Sequence, residues 1–178
     1  MRKILSILFA TLLSGLALSA QNPIVQTSYT TDPSPLVIGD TLYILTGCDE
    51  PEATPGSYLM REWRLYSTTD MLNFTDHGAV LHTSDISWSE HDASAAQIIP
   101  RNGKYYLYIS TLNNTPGHGG VSVGVAVADK VWGPYKDALG HALVTNDMTT
   151  AASHSWDDLD PTVFIDNDGQ AYLYWGNG

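Results

Sequence analysis

One cysteine in 178 residues leaves Cys48 with no internal partner. A disulfide framework and a multi-cysteine metal site are both excluded. Basic residues are scarce as well: 8 Lys and Arg stand against 19 Asp and Glu, a formal net charge of −11. Nucleic acid and anionic membrane surfaces need basic patches, so neither is expected as a partner, whereas a neutral ligand is compatible with this charge. Long apolar runs are absent after the first twenty residues, so no later segment is long enough to span a bilayer. Helical periodicity is equally scarce, and strand signals dominate.

The one apolar run, Ile4 to Leu18, follows the basic pair Arg2 and Lys3 and precedes the small residues Ser19 and Ala20. That order describes a secretory signal peptide over residues 1–20, with cleavage expected before Gln21. Without Arg2 and Lys3 the basic count falls to 6 and the charge to −13. The expected product is exported, periplasmic or extracellular, with no membrane association after cleavage.

What is present is a repeat. Pro35–Ile44, Gln97–Tyr108 and Pro161–Tyr174 each read as an apolar strand, a Gly-containing tight turn and a second strand rich in Tyr and aliphatics. Each is the signature of a β-hairpin. Aligning Tyr43, Tyr106 and Tyr172 gives spacings of 63 and 66 residues. Trp63–Asp70 and Val121–Asp129 then supply third strands, and Phe74–Asp76 and Tyr135–Asp137 supply fourth strands. A period of that size in an all-β chain predicts a β-propeller of four-stranded blades. About two and a half blades lie within residues 21–178, which read as the front part of a ring.

In such a meander two sets of loops share one face. One set precedes the first strands (Gln26 to Pro33, Leu81 to Ala95, Asn146 to Asp160). The other follows the second strands (Gly47 to Glu62, Thr111 to Gly120, and Gly176 onward). These long segments carry Gly, His, Trp and acids, and long loops on a rigid scaffold are where function sits. Asp32 and Asp160 hold equivalent places before Pro33 and Pro161, at the head of the innermost strands, while unit two holds Ser94 or Ala95 there. Asp-Pro is also a common turn dipeptide. Two of them facing one axis are more readily read as paired carboxylates, the apparatus of glycoside hydrolysis.

Three stretches extend that reading: Asn22–Pro33, Trp63–Thr68 and Trp156–Ile165, the last including Trp156-Asp157-Asp158-Leu159-Asp160-Pro161. Together they resemble glycoside hydrolase family 43, across all of residues 21–178. The resemblance implies a five-bladed propeller that removes arabinofuranose or xylose from plant polysaccharides with inversion. It implies that Asp32 is the general base activating water. Asp160 becomes the acidic residue that tunes the acid and orients substrate. The family's proton donor is a Glu of a later blade, and none of Glu50, Glu52, Glu62 and Glu90 stands in a matching context. Two departures concern substrate preference. Asp92-Ala93-Ser94-Ala95 replaces a common Asp-Ala-Trp-Ala, and Cys48 stands where close relatives often have His.

Further candidates follow from the loop-rich face. Trp88, Trp156 and Trp175 lie on or near it and are candidates for stacking on sugar; tryptophans also fill gaps between blades, and Trp88 is the one assigned to substrate. Asp92 and Asn177 are placed as partners of sugar hydroxyls, though turn roles fit them too. His82, His91, His118, His141 and His154 show no metal-ligand spacing, and Asp166-Asn167-Asp168-Gly169 lacks the later residues of a calcium loop, so it reads as a hairpin turn. No metal or cofactor is expected. The expected partner is a polysaccharide or oligosaccharide. The leading expectation is an α-L-arabinofuranosidase, favoured by Trp63–Thr68 and by Trp175-Gly176-Asn177. The alternatives are a β-xylosidase of the same family, or a carbohydrate-binding or truncated propeller without a general acid. The discriminating feature is the sequence that follows Gly178.

Overall fold

The computed structural model describes residues 23–54, 57–150 and 157–176. The first sheet is an antiparallel meander of β1 (Tyr29–Ile38), β2 (Thr41–Asp49), β3 (Met60–Thr68) and β4 (Thr75–His82). A second repeats it with β5 (Gln97–Arg101), β6 (Lys104–Leu112), β7 (Val121–Ala128) and the two-residue β8 (Lys136–Asp137). The hairpin of β9 (Thr162–Ile165) and β10 (Ala171–Tyr174) begins a third. These are propeller sheets, the all-β architecture expected from the repeat, with no α-helix among the described residues.

Turn chemistry sets the hairpins. Asn102 and Gly103 have φ of 52° and 73°, the left-handed pair that matches the twist of the β5–β6 strands. Asp166 to Gly169 is a hairpin turn as predicted: the Gly169 amide donates to the Asp166 carbonyl (2.9 Å), and Asp168 Oδ1 accepts from the Gln170 amide.

Sheets one and two bury one apolar core between them, with Trp63, Leu65 and Leu107 fully buried. Specific contacts fix their separation. Trp63 Nε1 donates to the Ser94 carbonyl at 2.8 Å, and the Tyr135 amide donates to the Val80 carbonyl at 3.2 Å. Burial of the Tyr135 phenol pushes its pKa well above the usual value. The third hairpin is stapled to the second sheet at its inner edge. Gln97 Oε1 accepts from the Val163 amide and from Thr162 Oγ1, and Arg101 Nη2 donates to the Gly169 carbonyl at 2.9 Å. The first strands β1, β5 and β9 are therefore neighbours, and their heads line one opening.

Candidate active site

Strand register identifies equivalent positions directly. Tyr43 pairs with Leu36, Tyr106 with Ile99 and Tyr172 with Phe164. Four residues ahead of those partners stand Asp32, Ala95 and Asp160. Unit two thus offers a methyl group where units one and three offer carboxylates.

The two carboxylates reach this position by different local means. Asp160 precedes β9, as expected. Asp32 lies within β1 rather than at its start: Thr31 pairs with Gly47 and Ser34 with Leu45, leaving Asp32 and Pro33 opposite Thr46 alone. That bulge explains how proline is tolerated in an inner strand, since its missing N–H costs no ladder bond there. Both aspartates adopt left-handed backbone, φ 50° and 57°. Asp is among the few residues that tolerate this region, and proline after it disfavours the right-handed helical alternative.

Asp32 and Asp160 line a common cleft of about 470 Å³. Its other walls come mostly from the predicted loop sets: Thr31, Asp49, Tyr58 and Met60 from unit one, Ser94 and Ala95 from unit two, and Asp157 and Leu159 from unit three, joined by Val121 at the head of β7. Partial burial, and then the negative charge of Asp32, raise the pKa of Asp160 above the ordinary carboxylate value.

The Asp160 amide donates to Ser110 Oγ at 3.4 Å, and the residues just before Asp160 are anchored as well. Asp158 is buried, and its carboxylate accepts from Trp175 Nε1 (2.7 Å) and Thr149 Oγ1 (2.8 Å). The Gly176 amide donates to the Leu159 carbonyl at 2.7 Å. Asp157 Oδ2 accepts from the Val121 amide at 2.8 Å, joining units two and three at the cleft wall.

Several sequence-predicted residues lie elsewhere. Trp88 is 4% exposed, belongs to the core and donates through Nε1 to Asp137 Oδ2 at 3.0 Å. Its ring lies flush on Gly124, where a Cβ would stand 2.5 Å from Trp88 Cζ2. This corrects the assignment of Trp88 to substrate: no face of the indole is free for a sugar. Asp92 does not line the cleft. Its Oδ1 lies 3.0 Å from His91 Nδ1, both atoms enclosed and without another hydrogen-bond partner among the described residues. Trp175 keeps an exposed edge, but its N–H is committed to Asp158. Trp156, His154 and Asn177 lie outside the described residues. Cys48, at the end of β2, is half-buried, and that burial raises its thiol pKa.

Sequence reasoning passed over Asp49, Tyr58, Met60 and Asp157. Tyr58 carries the clearest signal, an aromatic in the long loop after a second strand. Among the described residues no glutamate lines the cleft, and Glu62 pairs with Arg64 at 2.6 Å. No cluster of three or more His, Cys, Asp or Glu is arranged to hold a metal among the described residues.

The family model described as glycosyl hydrolases family 43 matches residues 20–178. A xylosidase/arabinosidase 43A of Humicola insolens is 32% identical over 86% of this chain and 45% of its own length. An arabinoxylan arabinofuranohydrolase of Paenibacillus polymyxa is 32% identical over 88% of this chain and 26% of its own. The crystal structure of a β-xylosidase/α-arabinofuranosidase from a compost microbial metagenome, in complex with xylotriose, superposes with a TM-score of 0.73 at 30% identity. It covers 89% of this chain and 46% of the other. An α-L-arabinofuranosidase of Clostridium thermocellum gives 0.67 at 37% identity, covering 88% and 50%. The chain thus spans about half, or less, of the length of these relatives.

Proposed function

Since the chain belongs to glycosyl hydrolases family 43, we propose that the whole protein is an exported inverting glycosidase that removes arabinofuranose from arabinose- and xylose-containing plant polysaccharide. The observation that carries this is the convergence of Asp32 and Asp160 on one cleft from register-equivalent positions. Asp32 serves as general base. It takes a proton from the attacking water as that oxygen bonds the anomeric carbon. Asp160 orients the sugar and, while ionised, keeps a protonated donor favourable beside it. The donor itself is a glutamate outside residues 23–176, and inversion requires room for water between donor and base.

Support for arabinofuranosidase over β-xylosidase comes from the arabinofuranohydrolase and arabinofuranosidase relatives. β-Xylosidase is the second reading, because a β-xylosidase of Xylanibacter ruminicola is 30% identical over 83% of this chain and a xylosidase/arabinosidase 32% identical over 86%. The test is turnover by the whole protein on arabinose-substituted xylo-oligosaccharide and on xylotriose, with the anomer of the released pentose followed by NMR. Arabinose release with inverted configuration is expected. Asp32→Asn is expected to lower kcat by at least 100-fold, the lower end of what a general base contributes. Retention of configuration, or more than about a tenth of turnover left in Asp32→Asn, removes Asp32 from that role.

A further inference from the structure

Tyr58 is the only aromatic side chain lining the cleft among the described residues, and it is 61% exposed. Its position is set by the backbone. The Glu50 amide donates to the Leu59 carbonyl at 2.8 Å, and the Ser57 amide donates to the Thr54 carbonyl at 3.0 Å, closing the β2–β3 loop. Tyr58 stands two residues before Met60, the first residue of β3. In extended chain, residues two apart point to the same side. Met60 is buried at the cleft wall, where its Sδ accepts from Thr31 Oγ1 at 3.5 Å. Tyr58 therefore continues that wall outward, from the level of the carboxylates to the rim. Ser94 also lines the cleft, so the position where relatives commonly carry tryptophan leaves no ring in unit two.

Resting on the glycosidase reading above, we propose that Tyr58 is a specificity-determining residue. Its ring packs against the sugar unit on the leaving-group side of the scissile bond. The pentose to be released occupies the floor beside Asp32 and Asp160, so the remainder of the chain must pass over the rim. A tyrosine ring offers that sugar an apolar face at little conformational cost, while its hydroxyl stays in water. Tyr58 itself touches no reacting atom.

The experiment compares two substrates of the same pentose in the whole enzyme. One is the oligosaccharide the wild type cleaves, xylotriose or arabinose-substituted xylotriose. The other is the corresponding pentosyl fluoride, whose leaving group is one atom and cannot reach the rim. Tyr58→Ala is expected to lower the ratio of kcat/KM for oligosaccharide to that for fluoride by roughly three- to tenfold, through KM of the oligosaccharide. Tyr58→Phe and Tyr58→Trp, which keep a ring, are expected to hold the wild-type ratio. Equal losses on both substrates, or a ratio within twofold of wild type in Tyr58→Ala, overturns the inference. A wild type that turns over neither substrate overturns the glycosidase reading itself and this inference with it.

Discussion

Asp160 sits in a conflict that its backbone enforces. Its backbone is left-handed before proline and anchored on either side by Leu159 and the β9 ladder, which keeps its Cα at the cleft it shares with Asp32. Partial burial first, and the charge of Asp32 second, raise its pKa. Because protonation is favoured in the folded state, the contribution of Asp160 to stability is fully present below the unfolded aspartate value near ~3.9. It is lost as pH rises through the higher folded value. Asp160→Asn, which keeps shape and tolerates the same backbone, is therefore expected to raise the melting temperature of the whole protein at neutral pH. The gain should vanish near pH 3, while added salt should remove only the smaller part that comes from Asp32. Turnover should fall sharply, with the acidic limb of the pH–rate profile displaced. An unchanged melting temperature at neutral pH together with an unchanged profile would leave Asp160 only a strand-entry role.

At the scale of the element, the hairpins were legible because their signals are local. Turn glycines, alternating aliphatics and the Tyr43–Tyr106–Tyr172 period each need only a few neighbouring residues. The two aspartates were legible for the same reason, since register-equivalent positions recur at the repeat length. What could not be read was which loop residues turn inward. Trp88 looked available because it lies in a long loop on the functional face; the cavity that takes its ring is made by Gly124 on β7, 36 residues away, and by Asp137 on β8. Nor does anything near Gln97 in sequence announce that its amide oxygen serves Thr162 and Val163 of the next unit. The Trp88–Gly124 contact has a measurable consequence. Gly124→Ala places a methyl inside the indole, and overpacking of this kind costs on the order of 1–3 kcal/mol. The urea midpoint of the whole protein should fall accordingly, and Trp88→Leu in the same chain should recover part of the loss. Strict additivity of the two substitutions would mean that ring and glycine do not meet.

Across the molecule, stability is distributed unevenly among the three units. Sheets one and two share a core whose largest side chains are almost wholly withdrawn from water. Among the described residues the β9–β10 hairpin has no such partner: Phe164, Tyr172, Tyr174 and Trp175 are 54%, 43%, 57% and 39% exposed, and Val37 on β1 is 67% exposed. A two-stranded ribbon is marginal in water unless a third strand or another layer covers it, and repeat sheets gain their stability from neighbours on both sides. Residues 21–178 expressed by themselves are thus expected to lack a single cooperative transition, and to aggregate through the aromatic β10 edge. They should also hydrolyse no pentoside, since the cleft formed by the described residues offers two aspartates and no glutamate. A urea melt of that polypeptide, followed by circular dichroism and by tryptophan emission, checks the first expectation; an assay on arabinofuranosyl and xylosyl fluorides checks the second. Coincident, sharp transitions accompanied by turnover would show that two and a half blades suffice. They would also oblige Asp160, already the carboxyl with the raised pKa, to act as proton donor to Asp32's base.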